Sequence, residues 1–248
     1  MDRDALKAEA ARAALVYVQP DTLIGVGAGS TVERFIEALD EASARPRAAV
    51  AGSERTRVLL ETHGVPVVGL SEAILPLPVC IDGADEVDSE LRLIKGGGGA
   101  LTREKVIATA SERFVVIVDE SKLVRRLGAF PLAVEVVQMA VPFVQRELRA
   151  LGGESAIRLG FESDESRPSV PPGAGRRSAS TRLAHVIERL GNVILDVRGL
   201  DFTDPLALEA AIHAIPGVVE CGIFARRRAD VVLVATQGGV RTIERPSV

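Results

Sequence analysis

Short apolar runs alternate with amphipathic segments along most of this 248-residue chain. Residues 4–18 put alanine, leucine and valine on one face and Lys7, Glu9 and Arg12 on the other, which is helical spacing. Thr22–Val26 is a short apolar strand in a glycine-rich setting of Gly25, Gly27 and Gly29. Thr31–Leu39 and Glu54–Thr62 read as helices, with strands at Ala48–Ala51 and Val65–Val68. Strands at Pro78–Ile81 and Arg113–Val118 flank a helix over Arg103–Ser111. Strands and helices in alternation predict a parallel, doubly wound, Rossmann-like α/β sheet.

The pattern changes near Phe130–Pro131. Ala133–Val137, Glu154–Leu159, Asn192–Val197 and Val218–Phe224 read as strands, Pro142–Leu151 and Pro205–Ile215 as helices. The order βαββαβ is that of a small ferredoxin-like α+β unit. A further apolar strand, Ala229–Ala235, is expected to return to the first sheet. The expected organisation is therefore an α/β catalytic domain of residues 1–131 and 229–248, with residues 132–228 inserted as the small domain. Residues 162–181, polar and rich in Pro, Gly and Ser, are expected to form a surface excursion.

Composition excludes several function classes. A chain 47% hydrophobic and 26% charged builds an ordinary core. A net charge of −4 without a basic stripe argues against a nucleic-acid partner. The run Arg226–Arg228 is read as a solvated edge. Two distant cysteines make no disulfide framework and fit a reducing compartment. The first residues lack the apolar core of a signal peptide, and no apolar run reaches the length of a membrane span. A cytoplasmic chain with no membrane partner is expected. The three histidines fall in different elements without ligand spacing, so neither a metal nor a cofactor is expected.

The chemistry concentrates between Ile81 and Ala110. Asp82 and Asp85 are expected in a turn, Lys95 precedes four consecutive glycines, and Glu104 falls in the first turn of the next helix. Acids, a cation and bare backbone together suit proton transfer on a small anionic substrate. Four glycines are entropically costly to order, which implies that something approaches the backbone closely. Turn propensity would also account for the aspartates, Asp88 among them, and the helix dipole for Glu104. Thr102 is expected to cap the helix, and Cys80 to be a buried strand thiol.

A second signal is Gly25-Val-Gly27-Ala28-Gly29-Ser30-Thr31, at a strand-to-helix junction. It suits a phosphate cradle, or simply a tight turn with a hydroxyl cap. The dinucleotide fingerprint would need glycine where Ser30 stands, and a P-loop would need a lysine. Ser53, in the following GSERT segment, caps its helix or faces the same ligand. Lys7 reads as a phosphate ligand or a solvated lysine. Besides an enzyme, a sugar-phosphate sensor would keep the cradle without needing Lys95 or Glu104.

Taken together, VGAGSTVERFIEAL, GSERT, IDGADEVD, LIKGGGGALTREK, VVIVDESKLVRRLGAFPLAVEV and GNVILDV resemble the A-type ribose-5-phosphate isomerase family over nearly the whole chain. The resemblance implies metal-free interconversion of D-ribose 5-phosphate and D-ribulose 5-phosphate through an enediolate, by a homodimer or homotetramer. It assigns Ala28, Gly29, Ser30 and Thr31 to the substrate loop. Asp82, Gly83, Ala84 and Asp85, then Lys95, Gly96, Gly97 and Gly98, match the two central blocks. Glu104 matches the proton acceptor, and Lys122 and Lys7 match substrate contacts. Ala28 replaces the family's usual threonine, Gly52 stands where serine is common, and residues 162–191 lengthen a short hairpin.

Overall fold

A computed structural model describes residues 2–42, 45–160, 184–185 and 191–245. The first half is built from α1 (Arg3–Ala14), β1 (Leu23–Val26), α2 (Ser30–Ala38), β2 (Ala48–Ala51), α3 (Glu54–Thr62), β3 (Leu77–Asp82), β4 (Glu86–Val87), β5 (Leu93–Ile94), α4 (Leu101–Thr109) and β6 (Ser111–Asp119). Then come β7 (Leu132–Val136), α5 (Val141–Ala150), β8 (Glu154–Ile157), the two-residue pair β9 (Leu159–Gly160) and β10 (Ala184–His185), and β11 (Val193–Arg198). The chain continues through α6 (Pro205–His213), β12 (Val218–Cys221), β13 (Ile223–Phe224), β14 (Val231–Thr236) and β15 (Gly239–Glu244).

The main sheet has the order β15-β14-β6-β3-β1-β2. Its strands are parallel from β14 to β2, and β15 closes the edge antiparallel. Alternate β6 side chains serve opposite cores, as the two-residue period requires. Val115 and Ile117 pack beneath α1, α2 and α3. Phe114, Val116 and Val118 pack toward α4 and Phe224. Burial on both faces explains the β-branched run of this strand.

The second sheet is antiparallel, in the order β12-β7-β11-β8, with α5 and α6 packed against one face. This is the ferredoxin-like arrangement, inserted between β6 and β14. Helix α4 is wedged between the two sheets. Its Ile107 and Ala108 join the main-sheet core, while Leu101 packs with Ala133 and Ile194 of the second sheet.

Several expectations change. Val65–Val68 forms only an isolated bridge, Val67 to Ala49, because the chain meets the β2 edge too briefly to extend a ladder. The predicted strand Val218–Phe224 is broken at Gly222. Residues before it pair with β7 and residues after it pair with β5. Polar, alternating Gly239–Glu244 forms edge strand β15, which sequence patterning missed. Asp82 ends β3, fully buried, rather than lying in a turn. Thr102 does not cap α4, whose N-cap is Ala100; its hydroxyl bonds Glu135 instead. Arg227 is no solvated edge residue. It reaches back to the Ala108 carbonyl at 2.9 Å and the Asp230 carboxylate at 2.9 Å, with its guanidinium 5.4 Å from the Phe114 ring centre. The excursion at 162–181 lies outside the described residues.

Gly222 is the joint between the sheets. Its N–H donates to the Ala133 carbonyl at 2.8 Å, and its own carbonyl accepts from the Lys95 N–H at 2.9 Å. A Cβ there would stand 2.1 Å from the Lys95 carbonyl oxygen. Gly222→Ala is therefore expected to lower the urea midpoint, costing about 1–3 kcal/mol as overpacking does. An unchanged midpoint would mean that the joint can open without penalty.

Candidate active site

The C-terminal ends of β1, β3 and β6 lie side by side, the place where open α/β sheets bind ligands. Over them opens a cavity of about 260 Å³. Lys7, Ala28, Gly29, Ser30, Thr31, Gly83, Ala84, Asp85, Lys95, Gly96, Gly97, Gly98, Glu104 and Lys122 all line it. Segments more than a hundred residues apart in sequence thus converge on one pocket.

Asp82 is fully buried beneath the pocket. Its Oδ1 accepts from the Ala28 N–H at 3.1 Å and the Gly83 N–H at 2.7 Å. Its Oδ2 lies 2.9 Å from Lys95 Nζ. The same ammonium lies 3.3 Å from Glu104 Oε2 and donates to the Gly83 carbonyl at 2.6 Å. One cation therefore faces two carboxylates in a site nearly closed to water.

The electrostatics follow from that imbalance. Burial pushes Asp82 upward, opposed by Lys95 and the two amide donors. Burial, then the charge of Asp82, pushes Glu104 from its ordinary 4.5 up to about 8. Burial works against the Lys95 charge, but Asp82 and Glu104 outweigh it and raise its pKa above the ordinary lysine value. Asp82 has fixed amide donors that hold its charge, and among the described residues Glu104 has none of that kind. Glu104 is thus the carboxylate that takes up a proton most readily, the separation that defines an acid/base pair.

The glycines have distinct reasons. At Gly27 a Cβ would stand 1.9 Å from the Asp82 carboxyl carbon, so only glycine lets the buried acid approach the first loop. Gly96 has φ of 103°, a left-handed conformation that side chains rarely adopt. The Gly97 N–H donates to Asp85 Oδ2 at 2.9 Å. Nothing stands within 4 Å of a Cβ built on Gly98, so that stretch of the pocket wall is open.

On the opposite wall Gly29, with φ of 103°, is the N-cap of α2, and no side chain caps the helix. The first amides of α2 and the Ser30 and Thr31 hydroxyls lie beside Lys7 at the cavity, a setting that favours an anion. Lys7 Nζ is 3.2 Å from Asp4. Ala28, which has no side-chain hydroxyl, supplies its backbone N–H to Asp82.

Ser53 does not line this pocket. Its hydroxyl caps α3, accepting from the Thr56 N–H at 3.0 Å, and it faces a separate cavity of about 360 Å³. Among the described residues its link to the site runs through Thr56, whose hydroxyl donates to the Gly27 carbonyl at 2.8 Å. Sequence reading missed Arg3 and Asp119, which complete the pocket wall. Asp119 ends β6, so the strand-end rule that drew attention to Ser53 could have found it. Arg3 carries no such signal.

Comparison with known proteins agrees with this geometry. The profile of the ribose 5-phosphate isomerase A (phosphoriboisomerase A) family matches residues 48–239. Ribose-5-phosphate isomerase A of Bordetella petrii is 47% identical over 245 residues, covering 97% of each chain. That of Legionella pneumophila (strain Paris) is 46% identical over 239 residues, covering 96% of this chain and 99% of the relative. The crystal structure of the Neisseria gonorrhoeae enzyme superposes with a TM-score of 0.86 at 41% identity, covering 99% of each chain. A D-ribose-5-phosphate isomerase solved in complex with phospho-erythronic acid superposes with a TM-score of 0.86 at 35% identity, over 99% of this chain and 100% of that one. The pocket, the sheet that builds it and the match along the whole chain lead to one conclusion: this chain belongs to the ribose 5-phosphate isomerase A family.

Proposed function

We propose that the Lys95 pocket interconverts D-ribose 5-phosphate and D-ribulose 5-phosphate through an enediolate, with Glu104 as the base. The observation that carries this reading is the single ammonium of Lys95 lying between Asp82 and Glu104, at 2.9 and 3.3 Å, under an anion-binding helix start. The substrate phosphate binds at the α2 amides, Ser30, Thr31 and Lys7, with Lys122 on the same cavity wall. That grip leaves the C1–C2 end at Glu104. Glu104 removes the C2 proton and returns it to C1 on the same face. Lys95 neutralises the oxygen that gains charge as the enediolate forms. Asp82 moves the hydroxyl proton and assists opening of the furanose, and Asp85 orients the sugar from the Gly97 loop.

No step requires a metal or cofactor, because Lys95 supplies the positive charge where a Lewis acid would otherwise act. The working form is a homodimer or homotetramer in the cytoplasm. Among the described residues no helix is long and apolar enough to cross a membrane. A non-catalytic sensor would have no use for a proton-accepting carboxylate whose pKa is raised to about 8.

Glu104→Gln is expected to lower kcat by about 10²–10⁴, the usual cost of removing a general base, while phospho-erythronic acid still binds. Near-normal turnover in this variant would end the assignment of Glu104. Exhaustive chelation should leave the wild-type rate intact. A rate that falls and returns with a divalent ion would favour a metal-assisted hydride shift.

The pH dependence has a defined sign. The base must be ionised, so kcat/KM of the wild type should fall as pH drops below about 8 rather than near 4.5. Stability runs the other way. A carboxyl with a raised folded pKa stabilises fully below its unfolded value of 4.5, and that contribution disappears as pH climbs toward 8. Thermal melts should therefore show the wild type losing stability relative to Glu104→Gln between pH 5 and 9. A constant difference would mean that Glu104 is ionised throughout.

A further inference from the structure

Directly behind the pocket lies a second buried lysine that the chemistry above does not use. Lys105 follows Glu104 on α4, so the two side chains leave the helix roughly 100° apart. Glu104 points to the strand ends, and Lys105 points to the joint between the sheets. Lys105 Nζ lies 2.7 Å from Glu220 Oε1 and 2.9 Å from Glu209 Oε1. It also donates to the Cys221 and Ile223 carbonyls, each at 2.7 Å. Its three protons thus serve four oxygens.

Those two carbonyls flank Gly222, the residue whose own carbonyl holds the Lys95 N–H at 2.9 Å. The same segment supplies Phe224. Its ring centre is 4.8 Å from Lys105 Nζ and 5.8 Å from Lys95 Nζ. Glu209 extends the clamp, accepting from the Ala225 and Arg226 amides at 3.1 and 2.8 Å. Lys105 therefore ties the helix that carries Glu104 to the strand segment that fixes the backbone of Lys95. Ile107 and Ala108 of α4 share the core that holds Phe224, but among the described residues Lys105 is the α4 side chain that bonds the carbonyls on either side of Gly222. Leu101 meets the second sheet and Ile107 the main-sheet core.

Glu220, His213 and Cys221 also place an oxygen, a nitrogen and a sulfur within 4.8 Å of one another. This is a poor cation site, because the Lys105 ammonium already occupies the contact with Glu220.

We infer that Lys105 is a positioning residue for the isomerase reaction, setting the separation of Lys95 and Glu104 through the 221–224 segment. This rests on the reading of Glu104 as the base. A displacement near 1 Å at a reacting group can cost about 10² in rate.

Lys105→Met keeps side-chain length and removes the charge. It is expected to lower kcat roughly 10- to 100-fold, while KM stays within about threefold because the phosphate contacts lie elsewhere. The groups that set the ionisation of Glu104 are Lys95, Asp82 and Asp85. Moving Glu104 away from Lys95 should shift the acidic limb of kcat/KM to higher pH. A role in stability alone would lower Tm and leave both kcat and the limb unchanged, and that result in a folded variant would overturn the inference. Lys105→Met leaves buried Glu209 and half-buried Glu220 without their shared cation, so it could fail to fold. In that case Glu209→Gln, which keeps Lys105 and removes one anion, decides. A severalfold loss of kcat with a shifted limb supports the inference, and kcat within twofold with a superimposable limb ends it. Glu104→Gln assayed alongside separates the two ideas. If it turns over normally, the base assignment falls and this inference falls with it. If it is inactive while Lys105→Met is normal, only the positioning role is lost.

Discussion

One buried ammonium faces two buried carboxylates, and most of this structure exists to hold that arrangement. Lys95 between Asp82 and Glu104 leaves a formal excess of one negative charge in a space nearly closed to water. Such a group of charges is weak as a source of stability, since desolvation offsets most of the Coulomb gain. Its value is chemical. Burial, and then the excess charge, push a proton onto one carboxylate near neutral pH, and the amide donors on Asp82 direct that proton to Glu104.

The fold meets the cost of this site with backbone groups rather than additional side chains. Amides from Ala28 and Gly83 hold Asp82, and the amide of Gly97 holds Asp85. A backbone amide loses no side-chain entropy when it donates, and it cannot rotate away. That is why the surrounding loops are rich in glycine at Gly27 and Gly96, where a Cβ would meet Asp82 or strain the chain.

The two sheets also divide the work. The main sheet brings the ends of β1, β3 and β6 together, which places the anion cradle, Asp82 and Asp119. Among the described residues the second sheet contributes no group to the lining of the 260 Å³ pocket, yet it meets both elements that carry Glu104 and Lys95. Leu101 of α4 packs on it, and Gly222 at its edge bonds the backbone of Lys95. A unit outside the pocket lining thus bonds the segments that carry its side chains, as Arg158 does at the Gly96 carbonyl.

Much of this was legible in the sequence. Alternation of strand and helix gave the α/β sheet, and βαββαβ gave the second unit, because those periods are local properties of the chain. The block from Asp82 to Glu104 advertised chemistry, since four glycines between a lysine and a helix have no cheaper explanation. Two-residue strands and an edge strand as polar as β15 carry too little pattern to read, and Val218–Phe224 gave no sign that its halves serve different sheets. The sequence alone determined which residue types are available and where along the chain they fall. Only the tertiary structure decided that Asp82 is buried at a strand end, that Ser53 faces away, that Arg3 and Asp119 complete the wall, and that Lys105 lies behind the pocket. Burial and long-range contact set a carboxylate's pKa and a lysine's role, and neither is a property of neighbours in sequence.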